Sequence, residues 1–209
     1  MLDLFLATLA SLFTIVNPIG AVPVYLAMTP HYTQSDRRRT AWQTSIWFAC
    51  ILLAFFLGGK FILSFFGLGI HAIRIAGGIV IMLSGYGLLS GQFARTRAID
   101  KKVKQEALEK EDISFTPLAM PLLSGPGSIS LLINWATEYT SPTSQLIIIG
   151  IIILNAFIVL LVLRSAPWLG RLLGASGMSA LSRIMGFLVM AIGVQSIITG
   201  IVQQVQALL

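Results

Sequence analysis

Six stretches of this chain are too long and too apolar for the elements of a small soluble domain. They cover roughly 3–28, 41–66, 70–91, 115–136, 144–166 and 179–203, and a helix needs ~20 such residues to cross a bilayer. The runs are continuous rather than alternating, which excludes a closed β-barrel. Composition agrees. Hydrophobic residues make up 56% of the 209 positions and charged residues only 11%, against ~25% charged in soluble chains. The mean hydropathy is +0.87. A disordered chain, an ordinary soluble enzyme and a secreted disulfide scaffold are all excluded, the last because Cys50 is the one cysteine. The first stretch has Asp3 where a leader would be basic and runs past leader length, so it reads as a span. The expected fold is an all-α membrane protein with six transmembrane helices.

The net charge of +6 does not point to nucleic acid, because the basic residues sort by loop. Arg37, Arg38 and Arg39 follow the first span. Arg95, Arg97, Lys101, Lys102, Lys104 and Lys110 follow the third, and Arg164, Arg171 and Arg183 flank the link from fifth to sixth. Lys60 and Arg74 border the short link from second to third. The positive-inside rule then puts both termini outside the cytoplasm. The charged stretch 92–114 reads as a cytoplasmic linker between two halves, 1–91 and 115–209.

Those halves resemble each other. Arg74, Gly77, Ser84 and Gly91 fall on Arg183, Gly186, Gly193 and Gly200 at a constant shift of 109. The small residues recur every seven positions, a stripe that lets helices pack closely in lipid. At a shift of 108, Asn17-Pro18-Ile19-Gly20 falls on Gly125-Pro126-Gly127-Ser128. Three helices per copy make the copies enter the membrane from opposite sides, an inverted repeat of the kind found in secondary transporters.

Pro18 and Pro126 lie well inside apolar spans, each with a second proline five residues away, Pro23 and Pro121. Proline removes a helical hydrogen bond and clashes with the preceding turn. Freed backbone groups in lipid must be satisfied by protein or by a water-lined cavity. Helices one and four are therefore expected to break near the midplane. Each break offers a positive half-helix N-terminus and a set of free carbonyls, which together suit a small zwitterion. Asn17, Gly20, Ser124, Gly125, Gly127 and Ser128 are the expected substrate-binding residues, with Pro18, Pro23, Pro121 and Pro126 as breakers.

The eight carboxylates all lie outside the span cores. Paired aspartates for an intramembrane protease are absent, and no closely spaced His and acidic cluster suggests a metal. A Ser–His hydrolase using Ser84 or Ser128 with His71 has nothing specific behind it, so no enzyme and no cofactor are expected. Coupling to Na⁺ or H⁺ stays open. Asn134, Asn155 and Gln195 read as interhelical glue or cavity lining, and Trp42, Trp47, Trp135, Trp168 and Tyr139 as interfacial anchors. Arg74 and Arg183 read as snorkelling side chains or as gating contacts at opposite mouths.

The segments Asn17–Pro23, Pro121–Ser128 and Arg74-Ile75-Ala76-Gly77-Gly78 resemble those of the MarC family of six-helix inner-membrane proteins, and the likeness spans the whole chain. The resemblance implies a bacterial inner-membrane protein related to transporters of small neutral amino acids such as glycine and alanine. The family name records an association with multiple antibiotic resistance. The expected function is a secondary transporter of small neutral amino acids, acting as exporter or exchanger. Multidrug or other small-solute efflux and a non-transporting scaffold docked through the linker are the alternatives. Substrate, direction, coupling ion and oligomeric state stay open.

Overall fold

The structure, a computed structural model, describes residues 2–67, 69–90 and 112–206. Gly91 and most of the 92–114 linker lie outside the described residues. The described residues are helical throughout the spans. They hold five helices long and apolar enough to cross a membrane, or six if one bent pair counts as a single span.

Helices α1 (Leu2–Val16) and α2 (Pro18–Met28) meet at Asn17. Tyr25 Oη donates to Arg37 O at 2.7 Å, and Arg37 Nη2 donates to Thr29 O at 2.7 Å. These bonds tie the end of α2 to the first turn of α3 (Gln34–Phe66). Helix α3 starts seven residues before the apolar run expected at 41–66. A capping box between Thr33 and Asp36 satisfies its first amides and carries the helix through the arginine-rich turn. Gly67 ends it in the left-handed conformation, at φ 63°, the usual helix stop.

Helix α4 (Ile70–Leu89) follows. The next described segment, α5 (Ser114–Leu123), has π-type bonds, with Leu118 N–H donating to Ile113 O and Ser124 N–H to Ala119 O. Its Thr116–Pro117 and Met120–Pro121 peptide bonds are cis. Ile113 and Ser114 are fully buried. Helix α6 (Pro126–Glu138) leaves α5 at 67°. Helices α7 (Pro142–Arg164) and α8 (Ala166–Gln206) complete the fold. Gly174 interrupts α8 with φ 59° and ψ −178°, a backbone region open essentially to glycine alone. A short helix therefore precedes the sixth span.

The main core joins α1, α2, α3, α5, α6 and α7 through Leu12, Tyr25, Phe48, Leu52, Leu118, Leu132, Ile148 and Ile152. Trp135 belongs to this core and is not the interfacial anchor expected from sequence. Its indole faces inward because α6 is the inner limb of a bent pair. The outward faces carry Phe61, Phe65, Leu146, Phe187 and Ile198, all exposed, as lipid-facing surfaces require.

Helix α4 packs most extensively on α8, and glycines set the distance. A Cβ on Gly85 would lie 2.7 Å from Gly186 O, and one on Gly193 would lie 2.7 Å from Gly78 O. The α8 stripe Gly186, Gly193 and Gly200 thus faces α4. On α4 the facing residues are Gly78 and Gly85, one position on from Gly77 and Ser84. Gly77 turns instead to Ser130 of α6. Gly85→Ala should destabilise the protein by ~1–3 kcal/mol, the cost of overpacking. Gly150→Ala, with nothing within 4 Å of its Cβ, should be neutral or stabilising by up to ~1 kcal/mol. Thermal unfolding in detergent separates the two, and equal melting temperatures would contradict the packing argument.

Candidate functional site

Asn17 sits at φ 47° and ψ 61°, a left-handed conformation that asparagine tolerates better than most residues. Its N–H donates to Phe13 O at 2.9 Å and ends α1. Its Oδ1 accepts from Gly20 N–H at 3.1 Å and caps α2. Pro18 occupies the first helical position, where a missing N–H is harmless. Gly20 is required by the cap itself, since a Cβ there would lie 2.5 Å from Asn17 Nδ2. Asn17 is buried, and its Nδ2 has no hydrogen-bond partner.

The second break is built differently. Gly125 is extended, Pro126 starts α6, and no side chain caps this helix. Ser128 Oγ turns back to donate to Gly125 O at 2.9 Å. Ser124 is buried, with its hydroxyl unpartnered. The N-terminus of α6 is thus the open one of the two.

A cavity of about 40 Å³ lies between the breaks. Asn17, Gly125, Pro126, Gly127 and Ser128 line it, together with Ser84 and Leu88 of α4 and Val189 of α8. Four of the six residues expected to bind substrate therefore share one cavity. Gly20 does not line it, being set behind the Asn17 side chain, and Ser124 is buried beside it in the chain. Ser84, assigned from sequence to packing, lines the cavity, with its hydroxyl on Val80 O at 2.8 Å. Its signal was present in the repeat, where it is the polar member opposite Gly193.

A second cavity, of about 430 Å³, runs between α2 and α8. Gly20, Pro23, Ser179, Ser182 and Arg183 line it, and Leu88 lines both cavities. Pro121 lines neither. Arg183 is exposed and makes no ion pair among the described residues.

Arg74, its repeat counterpart, is in the opposite state. It is buried, with Nη2 on Glu138 Oε2 at 2.6 Å and Nη1 on Gln203 Oε1 at 2.6 Å. This link joins the first turns of α4 to the ends of α6 and α8. His71 lies beside it with a buried, unpartnered Nδ1. Burial, and next the Glu138 carboxylate, push the Tyr139 phenol up, so it stays neutral beside the link.

Two of the three amides expected to glue helices together or line a cavity stay local, while Asn134 is buried facing Gly77 of α4 with its Oδ1 unpartnered. Asn155 Nδ2 donates to Ile151 O of its own helix, and Gln195 Nε2 to Thr199 Oγ1. Among the described residues there is no group of three or more His, Cys, Asp or Glu placed to hold a metal.

Asn17→Gly keeps a left-handed backbone open and should cost a few tenths of a kcal/mol in capping, approximately. Asn17→Ala adds the strain of a Cβ in that conformation, ~1–2 kcal/mol more. A thermal melt in which alanine is not the worse variant would refute the capped-break geometry. Glu138→Gln should lower stability by roughly 1.5 kcal/mol, the low end for a charged hydrogen bond because Glu138 is half-exposed.

The chain is similar to known proteins over nearly all its length. The family described as MarC family integral membrane protein matches residues 2–205. UPF0056 membrane protein YhcE of Escherichia coli strain K12 is 39% identical over 191 residues, covering 91% of this chain and 88% of the relative. A UPF0056 membrane protein of Buchnera aphidicola from Schizaphis graminum is 37% identical, covering 99% of this chain and 96% of the relative. UPF0056 inner membrane protein MarC of Escherichia coli O1:K1 / APEC is 34% identical, with 97% of both chains covered. No solved structure matches the chain. On this match the chain belongs to the MarC family of integral membrane proteins.

Proposed function

We propose that the protein is a secondary transporter of small neutral amino acids, working as an exporter or exchanger. The observation that carries this reading is the convergence of two proline-marked helix breaks on one small, uncharged cavity. The open N-terminus of α6 suits a carboxylate, and Asn17 Nδ2 is a donor without a partner beside it. The Ser84 and Ser128 hydroxyls donate to backbone carbonyls and keep lone pairs for an ammonium group. Among the described residues no carboxylate lines the cavity.

The packing supports two inverted three-helix copies. Helix α3 contacts α5 and α6, as α7 contacts α1 and α2, and α4 contacts α6 as α8 contacts α2. These pairs interchange when the two halves are exchanged. Gly67 and Gly174, both at positive φ, precede the third and sixth spans.

In this reading the two arginines mark the two mouths. The Arg74–Glu138–Gln203 link closes one, while the cavity bearing Arg183 opens toward the other. With basic loops inside, the Arg183 mouth faces the cytoplasm and both termini face out. The inner-membrane label carried by the relative MarC of Escherichia coli supports a place in the bacterial inner membrane. Charge weighs against efflux of cationic drugs, whose site would more naturally carry an acidic group; among the described residues none lines the cavity between the breaks.

Counterflow in proteoliposomes tests the proposal. Vesicles preloaded with unlabelled alanine should transiently accumulate labelled alanine. Asn17→Gly and Gly127→Leu should each abolish this while remaining folded. Gly127 lines the cavity, and a Cβ there already approaches Ile81 Cγ1 at 3.2 Å and Ile15 Cγ2 at 3.5 Å, so a leucine competes for its space. Folded wild type inactive toward alanine, glycine, serine and threonine would overturn the substrate class. Loss of function on deletion within 92–111, with both point variants fully active, would favour the scaffold.

A further inference from the structure

A third cavity, of about 570 Å³, carries chemistry that transport does not use. Four arginines line it: Arg37 and Arg38 from the start of α3, Arg164 from the end of α7, and Arg171 from the opening helix of α8. Among the described residues no carboxylate lines it, and the one ion pair is Arg74–Glu138, elsewhere in the fold. Part of this charge is engaged with backbone. Arg37 donates to Thr29 O, and Arg171 Nε to Pro167 O at 3.2 Å. Arg38 and Arg164 make no hydrogen bond among the described residues and are exposed.

Converging guanidinium groups repel one another, so such a cluster is most stable around an anion. Guanidinium is the side chain best matched to phosphate, which it can bind in a bidentate fashion. Position narrows the source of the phosphate. The arginines stand at the ends of apolar spans, the level at which lipid headgroups lie. Leu161 and Leu163 line the same cavity, Leu161 is exposed, and exposed Trp168 lies next in chain to lining Pro167. A free phosphate has no use for that apolar wall, whereas an acyl chain does. Basic pockets between spans on the cytoplasmic side are suited to anionic headgroups.

We propose that this arginine cavity binds the headgroup phosphate of an anionic phospholipid, with an acyl chain lying along α7. The lipid would bridge α3 of the first half to the α7–α8 corner of the second. This proposal needs membrane residence only and is independent of any transport activity.

The test uses the full chain in phosphatidylcholine vesicles with a photoactivatable phosphatidylglycerol as a minor component. Crosslinks should fall in the segments 34–38 and 161–171. Each basic side chain near an anionic headgroup contributes roughly fivefold in affinity. The combined variant Arg38→Gln, Arg164→Gln, Arg171→Gln should therefore lose about tenfold or more of the labelling. The corresponding triple lysine variant should retain most of it, which separates lost charge from lost fold. Equal labelling by a phosphatidylcholine probe would overturn the proposal, as would unchanged labelling in the glutamine variant. Label confined to residues 91–111 would do the same. Competition by inorganic phosphate at millimolar concentration would reassign the site to a soluble anion and overturn the lipid.

Discussion

Every structural choice in this chain answers to one constraint: a backbone amide or carbonyl in lipid must find its partner within the protein. Unbroken helices meet that demand automatically. Two segments here do not, and each compensates locally. At the first, one asparagine ends one helix with its N–H and begins the next with its side chain. At the second, π-type bonds carry the chain up to Ser124, and Ser128 covers a carbonyl of the break. The first amides of α6 have no side-chain cap, and the buried side-chain atoms Asn17 Nδ2 and Ser124 Oγ have no partner. Both belong to the breaks, where ligand or water can complete them.

The breaks need a frame that does not yield, and the α4–α8 pair supplies it. The hydrophobic effect gives helices little reason to associate in lipid, so contact area must come from close approach. Glycine at Gly78, Gly85, Gly186 and Gly193 permits backbone-to-backbone packing that any Cβ would prevent. Ser84 and Val189 sit on this same pair and form a wall of the cavity. Rigidity of the frame and shape of the site are thus two results of one set of small residues.

The spans, their order and the two break points were legible because each depends on a local signal: hydropathy, or proline beside glycine. The expectation that Asn17, Gly125, Gly127 and Ser128 would come together rested on the similarity of the two proline segments at a shift of 108, and these four residues line one cavity. Other features were not legible. The early start of α3 depends on a Thr33–Asp36 box lying outside the apolar run. Trp135 faces the core because α6 is steeply bent, and hydropathy carries no information about a 67° turn. Which face of α4 meets α8 is a matter of one residue, Gly77 or Gly78, and two adjacent glycines give no local means of choosing. The Glu138 partner of Arg74 lies 64 residues away in sequence, so the pairing is a tertiary fact.

The two arginines that the sequence aligns at a shift of 109 stand in opposite surroundings. Arg74 is held by a carboxylate and an amide oxygen, while at the shift that aligns the broken helices the counterpart of Glu138 is Pro30. Two copies with identical ends would have no built-in reason to favour one access over the other. In the proposed transporter the Arg74 mouth carries an internal counter-charge and, among the described residues, Arg183 has none, so the first could close on its own residues. Closing the second would bury Arg183 without a paired carboxylate from the described residues, and burying an unpaired charge is expensive. A ligand carboxylate supplies the missing charge. On the proposed function the asymmetry would link closure at the Arg183 mouth to the presence of an anionic group, which an amino-acid substrate carries and an empty site does not.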